Sequence, residues 1–212
     1  MNNIFRKSIS LTIINIILIG LFVIFITSIL FFFAYRKRFT LIKKDLHTDE
    51  LTGLSNSRAL KIDLKNAIIS ARKEQKELSL ILMDIDNFGL INTNHGQHLA
   101  DEILKKFGIF LKSDSRATDS IYRQHLKGDE FIIIARDTIL DNALKAAIRK
   151  RDLIANTGIQ ILGYDAQFRL TVCCGIAELN ANDDLDSLIE RAHVAMKQAK
   201  TVMGQNNCVT LI

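Results

Sequence analysis

The chain has 212 residues, of which 48% are hydrophobic, and a formal net charge of +5. The positive charge lies at one end, because residues 1–47 carry seven Lys and Arg side chains against the single acid Asp45, whereas residues 48–212 carry 21 basic and 22 acidic side chains. A nucleic-acid-binding domain needs a basic face, so this balance argues against nucleic acid as a partner, and the length allows one ordinary domain with an appendage.

Residues 9–35 contain no charged side chain, which predicts a membrane-spanning helix after a short tail at residues 1–8. Such a helix needs roughly 20 apolar residues. The alternative is a cleaved signal peptide, whose apolar region would be about 7–15 residues and would end in small residues. This run instead ends in aromatic residues followed by Arg36, Lys37 and Arg38. The larger basic cluster after the span places the C-terminal side in the cytoplasm.

A helical connector is predicted at residues 36–47, because Phe39, Ile42 and Leu46 recur at helical spacing. The Thr52-Gly53 step ends it, and residues 48–212 are predicted to form one folded domain. A serine at position 55 or 57 is expected to cap the first helix of that domain.

Hydrophobic periodicity predicts the remaining elements. Residues 78–83 form a nearly all-apolar run, which is typical of a strand buried on both faces. The others, in chain order, are a helix at 99–111, strands at 121–125 and 130–135 joined by a tight turn, a helix at 138–155, strands at 159–162 and 168–177, a helix at 185–200 and a strand at 209–212. This order predicts an α/β sandwich, a sheet flanked by helices.

Two acidic clusters stand where buried strands end. Asp84 and Asp86 follow the first strand, and Asp129 and Glu130 lie in the tight turn before the strand at 130–135. Taken singly, each cluster is more typical of solvated acids at a strand end, which are common in α/β proteins. On neighbouring strands, however, the carboxylates would converge, and hard oxygen ligands suit Mg²⁺ or Mn²⁺ holding substrate phosphates. Together they favour a site for a metal–nucleotide complex.

The cysteines and histidines suggest no metal or disulfide framework. Cys173, Cys174 and Cys208 are odd in number and lack CxxC spacing, which suits a reducing compartment, and the adjacent pair is interpreted as strand packing. His95 and His98 are three apart, but no further His or Cys nearby completes a zinc set.

Five segments together resemble one known family. They are residues 49–56 (DELTGLSN), 83–88 (MDIDNF), 127–131 (KGDEF), 170–177 (LTVCCGIA) and 195–200 (AMKQAK). In this order and at nearly this spacing, they resemble the motifs of GGDEF domains, the diguanylate cyclases. The resemblance covers about residues 46–212 and implies a palm-like fold related to the nucleotidyl cyclases, here tethered to a bacterial inner membrane.

The resemblance also implies an activity and a set of site residues. The family joins two GTP molecules into cyclic di-GMP with loss of two pyrophosphates, and each subunit of a homodimer brings one GTP. The resemblance implies catalysis by Asp129 and Glu130, and ligation of Mg²⁺ or Mn²⁺ by Asp84, Ile85 (through its carbonyl), Asp129 and Glu130. It implies guanine recognition by Asn92 and Asp101, and phosphate contacts by Lys127 and Lys200. It also implies product inhibition by cyclic di-GMP at Arg116 and Asp119.

The chain departs from the family pattern at several positions. Gly89 stands where the family has a phosphate-binding Lys, and Gln205 where it has an Arg. Lys127 replaces the first Gly of the signature, and we hypothesise that it supplies a replacement charge near the phosphates. Gln97 and Ala100 replace a His and a Gly before Asp101. The stretch at 123–126 carries two residues more than the family has between the inhibition motif and the signature.

Three functions compete at this point. The first is an active diguanylate cyclase. The second is a degenerate domain that binds GTP or cyclic di-GMP and signals through a partner. The third is a membrane-tethered scaffold that binds no nucleotide. The metal and guanine positions argue against the scaffold, and the departures at positions 89, 127 and 205 leave the first only slightly favoured over the second.

Overall fold

The computed structural model describes residues 20–33, 35–36, 46–124, 128–163, 167–201 and 206–211. The chain divides into two compact units, Met1–Leu46 and His47–Ile212. In the first unit residues 20–33 are helical, and no helix within the described ranges combines the length and the apolar character needed to cross a membrane. Residues 9–19 of the predicted anchor (9–35) and most of the predicted connector (36–47) lie outside the described residues. Both therefore stay predictions.

The second unit is built on a six-stranded mixed sheet. The strands are β1 (Ser55–Asn56), β2 (Leu78–Ile85), β3 (Ser120–Arg123), β4 (Glu130–Arg136), β5 (Ile159–Gln160), β6 (Gln167–Phe168), β7 (Val172–Glu178) and β8 (Cys208–Leu211). Their order in the sheet is β1-β3-β4-β2-β7-β8, and β5 and β6 form a separate pair. Strand β2 runs antiparallel to both β4 and β7, whereas the outer pairs β1–β3 and β7–β8 are parallel.

Helices cover both faces of the sheet. They are α1 (Ser57–Glu74), α2 (Phe88–His95), α3 (Gln97–Ser113), α4 (Leu140–Thr157) and α5 (Leu185–Thr201). One core contains the buried side chains of α3 and α4, and the other contains those of α1 and α5. The predicted α/β sandwich is therefore confirmed.

Strand β2 contributes side chains to both cores. All eight of its residues are buried, as its apolar run predicts. Successive side chains of a strand point to opposite faces. Accordingly, Ile81 and Met83 enter the core under α3 and α4, while Leu80 and Leu82 enter the core under α1 and α5.

Helix α5 approaches β7 unusually closely at Gly175. A Cβ atom at this position would lie 2.1 Å from the carbonyl oxygen of Ala192 and 2.3 Å from the backbone nitrogen of Met196. Only glycine leaves room for the helix backbone there, so Gly175 sets the distance of α5 from the sheet.

Three predicted details are wrong. The cap of α1 is Asn56 rather than a serine, because its side chain accepts hydrogen bonds of 3.1 Å from the backbone nitrogens of Arg58 and Ala59. The strand predicted at 168–177 is two strands, since β6 pairs with β5 and only β7 joins the main sheet. The short helix α2 was not predicted at all, because it has eight residues and none of them is fully buried, which leaves little apolar periodicity to detect.

Candidate active site

The predicted convergence of the acidic clusters is found at one end of β2 and β4. These strands are neighbours, and their register places Asp84 opposite Glu130. Asp129 directly precedes β4. Asp84 is only 6% exposed, because it still belongs to the buried strand β2. The sheet thus brings Asp84 together with two adjacent carboxylates that lie more than 40 positions further along the chain.

Lys200 brings a positive charge to this cluster from the last turn of α5. Its ammonium group forms a salt bridge with Oδ1 of Asp84. Burial lowers the pKa of Lys200, but the hydrogen bond to Asp84 and the charges of Asp84, Asp129 and Asp86 raise it overall. Lys200 is therefore a cation beside the carboxylates, and the phosphate contact expected of it stays a prediction.

The ionised form of Asp84 and Asp129 is disfavoured in this position. The pKa of Asp84 is raised to about 6, mainly by burial and further by the charges of Asp129 and Glu130, while the hydrogen bond to Lys200 opposes the increase. Burial also raises the pKa of Asp129. Buried, mutually repelling carboxylates are stabilised by a cation, and hard oxygen donors fit Mg²⁺ or Mn²⁺.

The carboxylates do not form a complete ligand set by themselves. In the part of the chain that the structure describes, no group of three or more His, Cys, Asp or Glu side chains is arranged to hold a metal ion. Ile85 has a buried side chain at the end of β2, so only its backbone carbonyl is available as a donor. The donors present suit a cation whose coordination a substrate's phosphate oxygens complete.

His193 is a site residue that the sequence did not reveal. Its Nε2 lies 3.7 Å from Oε2 of Glu130, and its Nδ1 lies 3.2 Å from the carbonyl oxygen of Ile189. The interaction with Glu130 raises the pKa of His193, against the opposing effect of burial. His193 lies on α5 two turns before Lys200, so the same helix supplies both basic groups that face the acids.

Asp86 has a structural role beside the cluster. Its backbone nitrogen donates to the Thr171 carbonyl at 2.9 Å, and its Oδ2 accepts from the backbone nitrogen of Asn206 at 2.8 Å. The second acid after β2 therefore fixes the start of the β8 segment. Gln205, the predicted replacement for a phosphate-binding Arg, lies outside the described residues.

Arg123 holds the signature hairpin, formed by β3 and β4, through hydrogen bonds to the backbone. Its Nε and NH2 donate to the Gly128 carbonyl at 3.1 and 3.0 Å, and its NH1 lies 3.1 Å from Oδ1 of Asp49. Asp49 also accepts from the backbone nitrogen and the hydroxyl of Thr52 at 2.9 and 2.6 Å. Sequence reasoning assigned no role to Arg123, because Asp49 lies 74 positions upstream and no local pattern links the two residues. Lys127 lies outside the described residues, and the hypothesis that it supplies charge stays a prediction.

The two positions matched to guanine recognition lie on consecutive helices. Asn92 is on α2 and Asp101 is in the first turns of α3, and Gly96 joins the helices with a φ of 84°. The Gln97 side chain donates from Nε2 to Oδ1 of Asp101 at 2.8 Å. Gln97 thus fixes the orientation of the carboxylate that the resemblance assigns to guanine.

Arg116 and Asp119 lie at the opposite end of β3 from the acidic cluster. They form a tight turn, in which the Arg116 backbone nitrogen donates to Oδ2 of Asp119 and the Asp119 nitrogen donates to the Arg116 carbonyl, both at 3.1 Å. Both residues line two cavities of about 260 and about 430 Å³. The predicted inhibition motif is therefore spatially separate from the predicted catalytic residues.

Two basic residues of α4 fix the segment before this turn. Lys150 is 2% exposed, and its Nζ donates to Asp114 Oδ2 at 2.9 Å and to Ser115 Oγ at 3.0 Å. Burial lowers the pKa of Lys150 despite these partners. Arg149 forms a second ion pair with Asp114 and, with Lys150, lines the smaller cavity.

Comparison with known proteins identifies relatives of this chain. Residues 46–206 match the family model described as "Diguanylate cyclase, GGDEF domain". The chain is 33% identical over 163 residues to diguanylate cyclase DgcS of Shewanella oneidensis, covering 77% of this chain and 52% of that protein. It is also 33% identical over 163 residues to the response regulator PleD of Caulobacter vibrioides, covering 76% and 35%. The chain thus matches about half of the first relative and about a third of the second.

Solved structures share the fold. The coiled coil and GGDEF domain of DgcB from Caulobacter crescentus, in complex with c-di-GMP, superposes with a TM-score of 0.78 at 21% identity, covering 84% of this chain and 92% of that one. The active GGEEF domain of a diguanylate cyclase from Vibrio cholerae gives a TM-score of 0.67 at 29% identity, covering 74% and 97%. These likenesses support the palm-like sheet with its flanking helices.

Proposed function

This chain belongs to the GGDEF domain family of diguanylate cyclases, and on that premise we propose that it condenses two molecules of GTP into cyclic di-GMP with release of two pyrophosphates. The observation that carries the proposal is the register of β2 and β4, which sets Asp84 against Glu130 with Asp129 beside them. The Lys200 ammonium lies at the same point. This is a site for triphosphate oxygens and the cation that accompanies them.

A divalent cation, Mg²⁺ or Mn²⁺, would be held by Asp84, Asp129 and Glu130 together with the Ile85 carbonyl. When bound, it neutralises charge that develops on the phosphate oxygens. Glu130 has the further role of accepting a hydrogen bond from the attacking 3′-hydroxyl. His193, which lies beside Glu130, keeps that carboxylate directed into the site.

Binding of the nucleotide uses groups on three helices and on the signature hairpin. Asn92 and Asp101 recognise the guanine edge through an amide and a carboxylate, and Gln97 holds the carboxylate in place. Lys200 contacts the phosphates from α5, and Lys127 does so from the hairpin. Since a site built to hydrogen-bond a base rejects a base that lacks the matching donors, we expect GTP to be strongly preferred over ATP.

The reaction requires two copies of the chain, each presenting one GTP to the other. We propose that residues 9–35 anchor the chain in the bacterial inner membrane with the folded unit in the cytoplasm, as the basic residues after the span favour. A tether raises the local concentration of the partner and so promotes the encounter of two loaded copies. Cyclic di-GMP binding at Arg116 and Asp119, away from the acids, would limit product accumulation.

The test uses the full chain in detergent micelles with GTP and either Mg²⁺ or Mn²⁺. We expect cyclic di-GMP and two pyrophosphates per product, and loss of both on Asp129→Asn. Asp141→Asn is the matched control, since Asp141 is an exposed acid on α4, and its turnover should equal that of the wild type. Equal product from Asp129→Asn and wild type would overturn the assignment.

A second candidate function is nucleotide binding without turnover. It is favoured by Gly89, which offers no side chain to the phosphates although a Cβ there would meet no atom within 4 Å. Calorimetry with GTP and Mg²⁺ separates the two functions. Binding without cyclic di-GMP selects the binding module, while no binding of either ligand would leave the scaffold reading.

A further inference from the structure

Two of the three cysteines face each other across neighbouring strands. Strands β7 and β8 pair in parallel, and Cys174 is the register partner of Cys208. Neighbouring strands lie about 4.7–4.9 Å apart, within the roughly 4.4–6.8 Å between Cα atoms that a disulfide requires. Both side chains also belong to the same core, under α3 and α4. The two thiols therefore meet the spatial requirement for a covalent bond.

The two thiols differ in exposure and in acidity. Cys174 is completely buried, whereas Cys208 on the edge strand is half-buried, and all three cysteines of the chain are thiols. A hydrogen bond between the two lowers the pKa of Cys208 and raises that of Cys174, and the nearby Arg151 guanidinium lowers the pKa of Cys208 further. Because the thiolate is the reactive form, Cys208 is the nucleophile that reacts first. Cys174 is the resolving thiol, which reacts with the oxidised Cys208.

We propose that Cys174 and Cys208 are a redox modification site, at which oxidation by hydrogen peroxide produces a reversible disulfide between β7 and β8. The Cys208 thiolate attacks the peroxide and becomes a sulfenic acid, with release of hydroxide. The Cys174 sulfur then displaces the sulfenic oxygen, which leaves as water once protonated. Overall two thiols lose two hydrogen atoms and one peroxide becomes two waters. A dithiol reverses the reaction by exchange.

The disulfide would close a covalent loop around a functional part of the molecule. The segment from 174 to 208 contains α5, with His193 and Lys200, and ends just after Asn206, whose backbone nitrogen bonds Asp86. The Cys174 backbone nitrogen already donates to the Asn207 carbonyl at 2.8 Å, so the strands are held in register before oxidation. Oxidation would hold the edge strand β8 to the sheet and raise the thermal stability of the folded unit.

Cys173 provides a matched internal control. It is adjacent to Cys174 in sequence and equally buried, but its register partner on β2 is Asp84 and its thiol interacts with Asp86. Alternation along β7 directs Cys173 to the opposite face of the sheet from Cys174. Burial raises the pKa of Cys173 to about 11, so this thiol is poorly reactive.

The experiment exposes the full chain in detergent to dilute hydrogen peroxide and counts reactive thiols after denaturation. We expect the count to fall from three to one, peptide mapping to join Cys174 to Cys208 within one chain, and Tm to rise. Dithiothreitol should restore all three thiols and the original Tm. Cys173→Ala should still form the bond, whereas Cys208→Ser should not, with circular dichroism showing that both variants are folded.

Several results would overturn the proposal. They are retention of three thiols, a bond that involves Cys173, a bond only between chains, or sulfinic acid at Cys208 in place of a disulfide. Loss of the disulfide in Cys173→Ala despite a native circular dichroism spectrum would equally exclude the assigned pair. None of these outcomes depends on nucleotide turnover, so the thiol site and the cyclase activity are tested separately.

Discussion

The Arg123 guanidinium lies 3.1 Å from the Asp49 carboxylate in an ion pair whose side chains are only 2% and 3% exposed. Through its other nitrogens Arg123 also holds the Gly128 carbonyl. One arginine therefore joins the turn at the start of the folded unit to the hairpin that carries Asp129 and Glu130. The signature hairpin depends on a residue outside the signature itself.

Removing this arginine should destabilise the folded unit strongly. Breaking a buried ion pair leaves an uncompensated charge, which costs about 3–5 kcal/mol, whereas an exposed pair contributes about 1 kcal/mol or less. We therefore expect Arg123→Ala to lose several kcal/mol in denaturant unfolding. The control is Lys145→Ala, which removes an ion pair with side chains 70% and 63% exposed. Similar losses for both variants would contradict the proposed role of Arg123.

Metal binding should weaken in acid around the pKa of Asp84, which burial raises to about 6. A carboxyl must lose its proton to ligate a cation, so below this pH the affinity for Mn²⁺ should fall by up to about tenfold per pH unit. Calorimetry between pH 5 and 8 measures the effect, with Asp84→Asn as the variant that should bind weakly without this pH dependence. A constant affinity down to pH 5 would show that Asp84 is not a ligand.

The same pKa predicts how stability without metal changes with pH. The folded-state pKa of Asp84 lies above the ordinary 3.8, so between about pH 4 and 6 the folded state holds the proton that the unfolded state has released. Asp84 therefore lowers stability as pH rises through this window. Asp84→Asn should unfold at a higher Tm than the wild type at pH 7, and the difference should shrink at pH 4.

Gln97 should control the preference for guanine. It donates to Oδ1 of Asp101 at 2.8 Å, and its loss leaves the carboxylate free to rotate. We expect Gln97→Ala to reduce the preference for GTP over ATP about three- to tenfold in competition binding, since a hydrogen bond to a charged group contributes about 1.5–3 kcal/mol at most. Thr93→Ala, whose hydroxyl bonds only the Gly89 carbonyl of its own helix, should keep the wild-type preference.

Gly175 should tolerate no side chain. An added Cβ would approach the backbone of α5 to 2.1 Å, so Gly175→Ala must displace that helix and with it Lys200. We expect a loss of at least about 3 kcal/mol, at the upper end for single substitutions. Gly89→Ala is the matched control because its Cβ would meet no atom within 4 Å, and alanine favours a helix by about 1 kcal/mol. Thermal unfolding of both variants distinguishes the two positions.

Gly89 should also accept the lysine that the family pattern has there. If the site binds a triphosphate, Gly89→Lys adds a cation beside the phosphates and should lower KM for GTP by about tenfold or more, as a charged hydrogen bond of about 1.5–3 kcal/mol implies. Gly89→Gln matches the length without the charge and should leave KM within about twofold of the wild type. Equal KM values for the two variants would place position 89 away from the phosphates.

The elements with strong periodicity were predictable from the chain. Strand β2 was recognised because residues 78–83 form a nearly all-apolar run, and α3, α4 and α5 because each has one apolar face. Helix α2 was missed because none of its residues is buried. The break between β6 and β7 was missed because apolar residues alternate at the start of 168–177 and then run continuously, and only pairing with β5 separates the two strands.

By itself the sequence determined which residues are candidates for the chemistry, because strand ends, turn residues and family motifs are local features of the chain. It therefore predicted roles for the acids at positions 84, 129 and 130 and for Lys200. Only the tertiary structure decided their partners: Asp84 with Lys200, Glu130 with His193, and Arg123 with Asp49. These contacts join residues 63 to 116 positions apart, and such distances are set by strand order and helix packing rather than by any local pattern.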